Sequence, residues 1–124
     1  MRAARSIDTL NDRTISEDST NSLLNKNTFS NNDDGIYLLD SSNCTITNNT
    51  YENNEDGIHL MDSSNCTITN NTCSFNNNSG IYLKRSSNCT LTNNTISGNR
   101  VVIDLHTSCH DNTTHHNNIS HNTE

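Results

Sequence analysis

Two aspartates at matching places in a repeated phrase, Asp34 in NNDDG and Asp56 in NNEDG, are the first residues of this 124-residue chain that could do chemistry. In strands stacked one repeat per layer they would stand about 5 Å apart, near the separation of the carboxyl pair in a retaining glycosidase. Such a pair can also share a proton or hold calcium. Asp before Gly is equally an ordinary turn residue copied by duplication. Asp33 pairs with Glu55 in the same way, and Asp18, Asp40 and Asp62 form a further row that ends at Arg85.

Three rings recur at one place, Tyr37, His59 and Tyr82, each between two apolar residues of a G-I-x-L phrase. An outward row of rings on a rigid sheet suits stacking against sugar faces, although aromatic residues also favour exposed strand positions for their own sake. Near the end, HTSCHDNTTHHNNISH carries His106, Cys109, His110, His115 and His116 as metal-ligand candidates, with His121 beyond. Imidazole and thiol suit copper or zinc, yet the spacing matches no closed site, and the surrounding letters read as a decayed repeat. The T-x-T pairs Thr45 and Thr47, Thr67 and Thr69, and Thr90 and Thr92 would make a small flat threonine face. Such rows resemble those of β-helical ice-binding proteins, and threonine is also a common strand residue.

What must position these groups is set by the period. DSSNCTITNNT spans residues 40–50 and returns unchanged at 62–72, and RSSNCTLTNNT follows at 85–95. Gly35, Gly57 and Gly80 keep the same 22- and 23-residue spacing as Cys44, Cys66 and Cys89. Self-similarity at this period marks a solenoid. Within a unit, GIYL and CTIT alternate in the manner of half-buried strands, and NTFS, NTYE and NTIS give a third. Asn, Asp and Gly fill the intervals, as turns with positive φ require. Three short strands and three turns per unit predict an all-β chain, a right-handed parallel β-helix of about five coils of 22–23 residues. Residues 18–99 are its regular part, 1–17 a degenerate N-terminal coil, and 100–124 a degenerate C-terminal coil with the His-rich tail. A leucine-rich repeat is disfavoured because neither its L-x-x-L-x-L frame nor a helical limb is present.

The predicted interior rows are Ile36, Ile58 and Ile81; Leu38, Leu60 and Leu83; Ile46, Ile68 and Leu91; and Phe29, Tyr51, Cys73 and Ile96. Cys44, Cys66 and Cys89 share the inward parity of their strand and are expected as buried thiols, small apolar fillers. Disulfides along that row are disfavoured, since stacked neighbours sit about 4.8 Å apart and a bridge wants Cβ atoms at about 3.8 Å. The repeated NN pairs are expected to stack as asparagine ladders.

Composition narrows the partners. Leu, Ile, Val and Phe are under a fifth of the chain against 25 asparagines, so any core is thin and the repeat must supply the order. A net charge of −7 offers no basic footprint for nucleic acid. No apolar run is long enough for a membrane span, and MRAARSIDTLNDRT lacks the apolar stretch of a secretory signal. N-x-T sequons at Asn43, Asn48, Asn65, Asn70, Asn88 and Asn93 fall in the turns of the repeat.

The unit G-I-x-L-x-x-S-S-N-x-T-I-x-N-N-T resembles the β-helix repeats of the carbohydrate-binding and sugar-hydrolase (pectate-lyase-like) class. It is most similar to NosD-like proteins, which are called periplasmic copper-binding accessory proteins, and to surface proteins with the same repeats. The resemblance implies an extracellular, periplasmic or cell-surface setting. The D-P-H-D motif of mannuronan epimerases is absent, as are the N-T-D and G-H-G of polygalacturonases, so no catalytic residue carries over. The expected function is a non-catalytic structural module that contacts polysaccharide, with end-to-end self-association or further coils. The alternatives are a polysaccharide lyase or glycoside hydrolase fragment using Asp34 and Asp56, a copper-handling accessory protein using the tail, and an ice-binding protein.

Overall fold

A computed structural model of the chain describes residues 15–124, so most of the expected N-terminal coil at 1–17 lies outside the described residues. Three parallel five-stranded sheets wind around one core. The first is built by β1 (Ile15–Glu17), β4 (Asp34–Leu39), β7 (Asp56–Met61), β10 (Ser79–Lys84) and β13 (Val101–His106). The second contains β2 (Leu23–Asn25), β5 (Thr45–Thr47), β8 (Thr67–Thr69), β11 (Thr90–Thr92) and β14 (Thr113–His115). The third contains β3 (Thr28–Ser30), β6 (Thr50–Glu52), β9 (Thr72–Ser74), β12 (Thr95–Ser97) and β15 (Asn118–Ser120). Each strand lies on its equivalent one lap away, giving five coils of three strands. No helix occurs among the described residues.

Like stacks on like. Ile36, Ile58 and Ile81 are in register, as are Leu38, Leu60 and Leu83, and all six are buried. Phe29 stacks flat on Tyr51 at 5.2 Å, followed by Cys73 and Ile96. The row ends in Ile119, which is exposed on the last coil. That coil is regular in its pairing: Thr113, Thr114 and His115 lie against Thr90, Leu91 and Thr92. Cys44, Cys66 and Cys89 are buried and all five cysteines are free.

The corners explain the asparagines. Left-handed backbone recurs in four columns per lap: Asp18, Asp40, Asp62 and Arg85; Asn21, Asn43, Asn65 and Asn88; Lys26, Asn48, Asn70 and Asn93; Asn31, Asn53, Phe75 and Gly98. Asn and Asp tolerate this conformation best among side-chain-bearing residues. Phe75 is an outlier there, exposed and lying across Gly98, where an added Cβ would come within 2.6 Å of its ring.

In the last two left-handed columns the residue that follows turns inward, always an asparagine. Asn27, Asn49, Asn71, Asn94 and Asn117 form one ladder and Asn32, Asn54, Asn76, Asn99 and Asn122 a second. In each rung the Oδ1 of one coil accepts the backbone N–H of the coil before, while Nδ2 donates to a carbonyl behind it, as Asn71 does to Ile46. A serine ladder through Ser41, Ser63 and Ser86 does the same at the third kind of corner. Cys109 donates to the Leu83 carbonyl at 3.3 Å from the next place in that ladder.

Leaving a buried donor or acceptor unpaired costs about 1–3 kcal/mol per group, and Asn71 serves several. Asn71→Ala should therefore lower stability by at least about 3 kcal/mol, whereas Asn70→Ala, at an exposed position, should cost about 1 kcal/mol or less. Urea unfolding midpoints of the two variants check this.

Candidate functional site

The chemically richest place lies on the outer face of the six-residue strands. Inside an alternating strand, Asp34 would share the inward parity of Ile36 and Leu38. Gly35 breaks the alternation. A Cβ on Gly35 would meet the buried Tyr51 ring and the Gly57 carbonyl, each at 2.5 Å, so the glycine occupies the inner side of the corner. Asp34 falls on the outer side, where its Oδ1 lies 3.4 Å from Nδ1 of His59. Gly57 plays the same part for Asp56, with the Gly80 carbonyl at 2.5 Å from its would-be Cβ.

The aspartates and rings expected as separate features thus meet in one cluster. Asp34, Asp56 and His59 each offer a ligand atom, all within 4.8 Å of one another, and among the described residues they are the one such group of three. The outward acids are nevertheless not at the surface. Asp34 is 3 % exposed and Asp56 6 %, because Asn78 and the ring row lie beside them. Oδ1 of Asp56 accepts from the Ser79 backbone N–H at 2.8 Å and from Nδ2 of Asn78 at 3.0 Å. Both carboxylates are thus covered, and Asp56 is held by two donors.

The ring row is continuous but not flat. Tyr37 meets His59 edge-on at 4.6 Å and 70°, His59 meets Tyr82 at 4.6 Å and 59°, and Tyr82 approaches His106 at 6.0 Å. Tyr37 is itself buried, and its hydroxyl contacts Sδ of Met61 at 3.2 Å. The rings therefore present edges more than one stacking platform. Nε2 of His59 is buried without a hydrogen-bond partner.

The tail residues do not converge. His115 and His116 touch through Nδ1 atoms 2.7 Å apart, but His110 sits on a separate corner, His106 ends β13, and the Cys109 sulfur turns toward the Leu83 carbonyl. Of the acid rows, Asp62 and Arg85 form a bidentate exposed pair at 2.7 and 2.6 Å. That guanidinium holds the Asp62 carboxyl below the usual carboxylate range.

A family model described as "Periplasmic copper-binding protein (NosD)" matches residues 4–124. The chain belongs to the NosD family. No individual curated protein and no solved structure matches it. Among the described residues, no helix is long and apolar enough to cross a membrane. The NosD family description names copper and the periplasm without naming residues; the sequence reading looked for copper or zinc in the tail and for calcium at Asp34 and Asp56. What it missed was the bulge. The signal was present as D-G-I-x, in which glycine before an inward isoleucine shifts the aspartate onto the face of the following ring.

Burial raises the Asp56 carboxyl above the ordinary aspartate value; the Ser79 hydrogen bonds oppose this, and the Asp34 charge adds to it. A group whose folded value is raised binds more protons folded than unfolded. Its stabilisation is full below the ordinary value of about 3.9 and is lost as pH rises through the folded value. Stability should fall over that window, and Asp56→Asn should flatten the profile, as read from urea midpoints between acid and neutral pH.

Proposed function

We propose that the protein is a non-catalytic β-helix module that holds a divalent copper ion through Asp34, Asp56 and His59. One observation carries the reading: two buried carboxylates one coil apart converge on an imidazole whose Nε2 has no hydrogen-bond partner. Like charges so placed repel, and a divalent cation would relieve that repulsion. Mixed oxygen and imidazole donors suit Cu(II). They do not suit calcium, which takes six to eight oxygens. The family description supports the choice of copper and a periplasmic setting. The bound ion would be held rather than turned over, its two carboxylates and imidazole serving as ligands.

Calorimetric titration of the purified protein with Cu(II) should show one ion per chain. Asp56→Asn and His59→Ala should each weaken it at least about tenfold, a loss of about 1.4 kcal/mol, while His115→Ala/His116→Ala should leave it unchanged. Heat that disappears with the tail variant and survives His59→Ala would move the site to the tail.

A second reading, contact with polysaccharide, is favoured by the continuity of the ring row, whose members Tyr82 and His106 reach toward solvent. Affinity electrophoresis through uronate and neutral polysaccharide gels should then show retardation that Tyr82→Ala reduces. Equal mobility of wild type and variant in every gel would remove this reading.

A further inference from the structure

The copper reading leaves a second set of ligand-type side chains unused. Cys44, Cys66 and Cys89 stand one above another inside the second sheet's wall, each just ahead of an inward Ile or Leu, buried and free. Their place in the coil is that of a ladder residue. The next coil has Asn112 there, whose Oδ1 accepts the Cys89 backbone N–H at 2.9 Å. In the coils before, sulfur takes the place of that oxygen: Ser22 N–H points at Cys44, Cys44 N–H at Cys66, and Cys66 N–H at Cys89. Main-chain donors are thus already aimed at each sulfur from one side, an arrangement that favours the thiolate form. The neighbouring Cys66 sulfur lowers Cys44 and Cys89, whereas Cys66, placed between two sulfurs, is raised.

We propose that the cysteine row is a binding site for a soft monovalent d10 cation, Cu(I) or Ag(I), held in two-coordinate fashion between Cys66 and one of its neighbours. A metal–thiolate bond of about 2.3 Å, taken twice in line, spans about 4.6 Å, close to the spacing of about 4.8 Å between stacked strands. A disulfide would have to pull the coils together; a linear S–M–S bridge would not. Thiolate ligands select soft ions such as Cu(I). Two thiols lose their protons and two S–M bonds form, with no change of oxidation state, leaving an anionic bis-thiolate that the aimed N–H groups stabilise. The thiols donate to carbonyls one coil back, Cys44 to Ser19 at 2.9 Å, Cys66 to Ser41 at 3.5 Å and Cys89 to Ser63 at 3.6 Å. Loading gives up those bonds and releases protons, so uptake strengthens as pH rises. Entry is easiest at Cys44. Of the described residues over that end, Ser19 is half-buried and Asp18, Thr20 and Asn21 are exposed. A hollow of about 180 Å³ lined by Asn21, Ser22, Leu23, Asn43 and Thr45 adjoins the same turn.

The site does not rest on Asp34, Asp56 and His59, and its failure is separable from theirs. Anaerobic titration of the reduced full chain with Ag(I), which is redox-inert here, should develop near-ultraviolet sulfur-to-metal absorption saturating at one ion per chain, with a rise in melting temperature. Cys66→Val should abolish the band, as should Cys44→Val/Cys89→Val, which keeps Cys66 but removes both neighbours and decides the matter if Cys66→Val does not fold. Cys73→Val, Cys109→Ser, Asp56→Asn and His59→Ala should leave it intact. No band in the wild type, a band retained by the double variant, or a band lost with Cys109→Ser would overturn the proposal.

Discussion

Everything in this molecule depends on how a coil satisfies its own corners. The strands of a parallel β-helix pair outward along the axis, but the peptide groups at each bend point into the wall, where water does not reach. The chain answers with side chains that imitate a peptide. An asparagine carboxamide one lap away accepts the stranded N–H and donates to a stranded carbonyl. Two such ladders, each running the length of the described coils, and a shorter serine ladder let a core of few large apolar residues hold. The hydrophobic rows provide the driving force, and the polar rows enforce register, since a slip of one residue would leave an entire ladder without partners.

The same logic prepares the two metal-competent places. Glycine is required at the second position of β4, β7 and β10, because the next coil's carbonyl, and at Gly35 and Gly80 an inner-row side chain, occupies its Cβ position. Its phase shift turns Asp34 and Asp56 onto the ring-bearing face. On another wall, cysteine replaces the ladder amide and inherits the aimed N–H groups. In both places identical letters stack about one strand spacing apart, Asp34 on Asp56 and Cys66 between Cys44 and Cys89, while His59 faces Tyr37 and Tyr82. Repetition brings like side chains together without any dedicated motif.

Much of the architecture was legible in the letters. The 22- and 23-residue period, the three strands and the interior rows, including Tyr51 above Phe29 and Cys73, are direct readings of periodicity. The worn last copy, NNISHN, takes its expected register through Asn118 to Ser120. Two things were not legible. In an NN pair the letters are identical, and only the backbone decides that Asn48 takes the left-handed turn while Asn49 turns inward. The union of Asp34 with His59 depends on a break in alternation at Gly35, and a strict period of two hides it. The histidine tail was conspicuous in composition, yet its members sit on different walls, because three sheets distribute neighbouring letters around the coil.

Among the described residues the lap lengthens at two places. Asn54 and Asn76 are 22 apart but Asp56 and Ser79 are 23, so one residue is taken up between Asn76 and Ser79; likewise Lys84 faces His106, 22 away, while the left-handed place of Arg85 recurs 23 away at Ser108, so Thr107 takes up another. Both slack points flank the long sheet that carries the aspartates and rings, whereas the corners joining the other two sheets are held to fixed length by their carboxamides. Gene duplication can thus elongate the rod in whole units, while codon-scale insertions are channelled to the rim of one face. That rim is where lineages could graft new loops and diversify what the rod recognises.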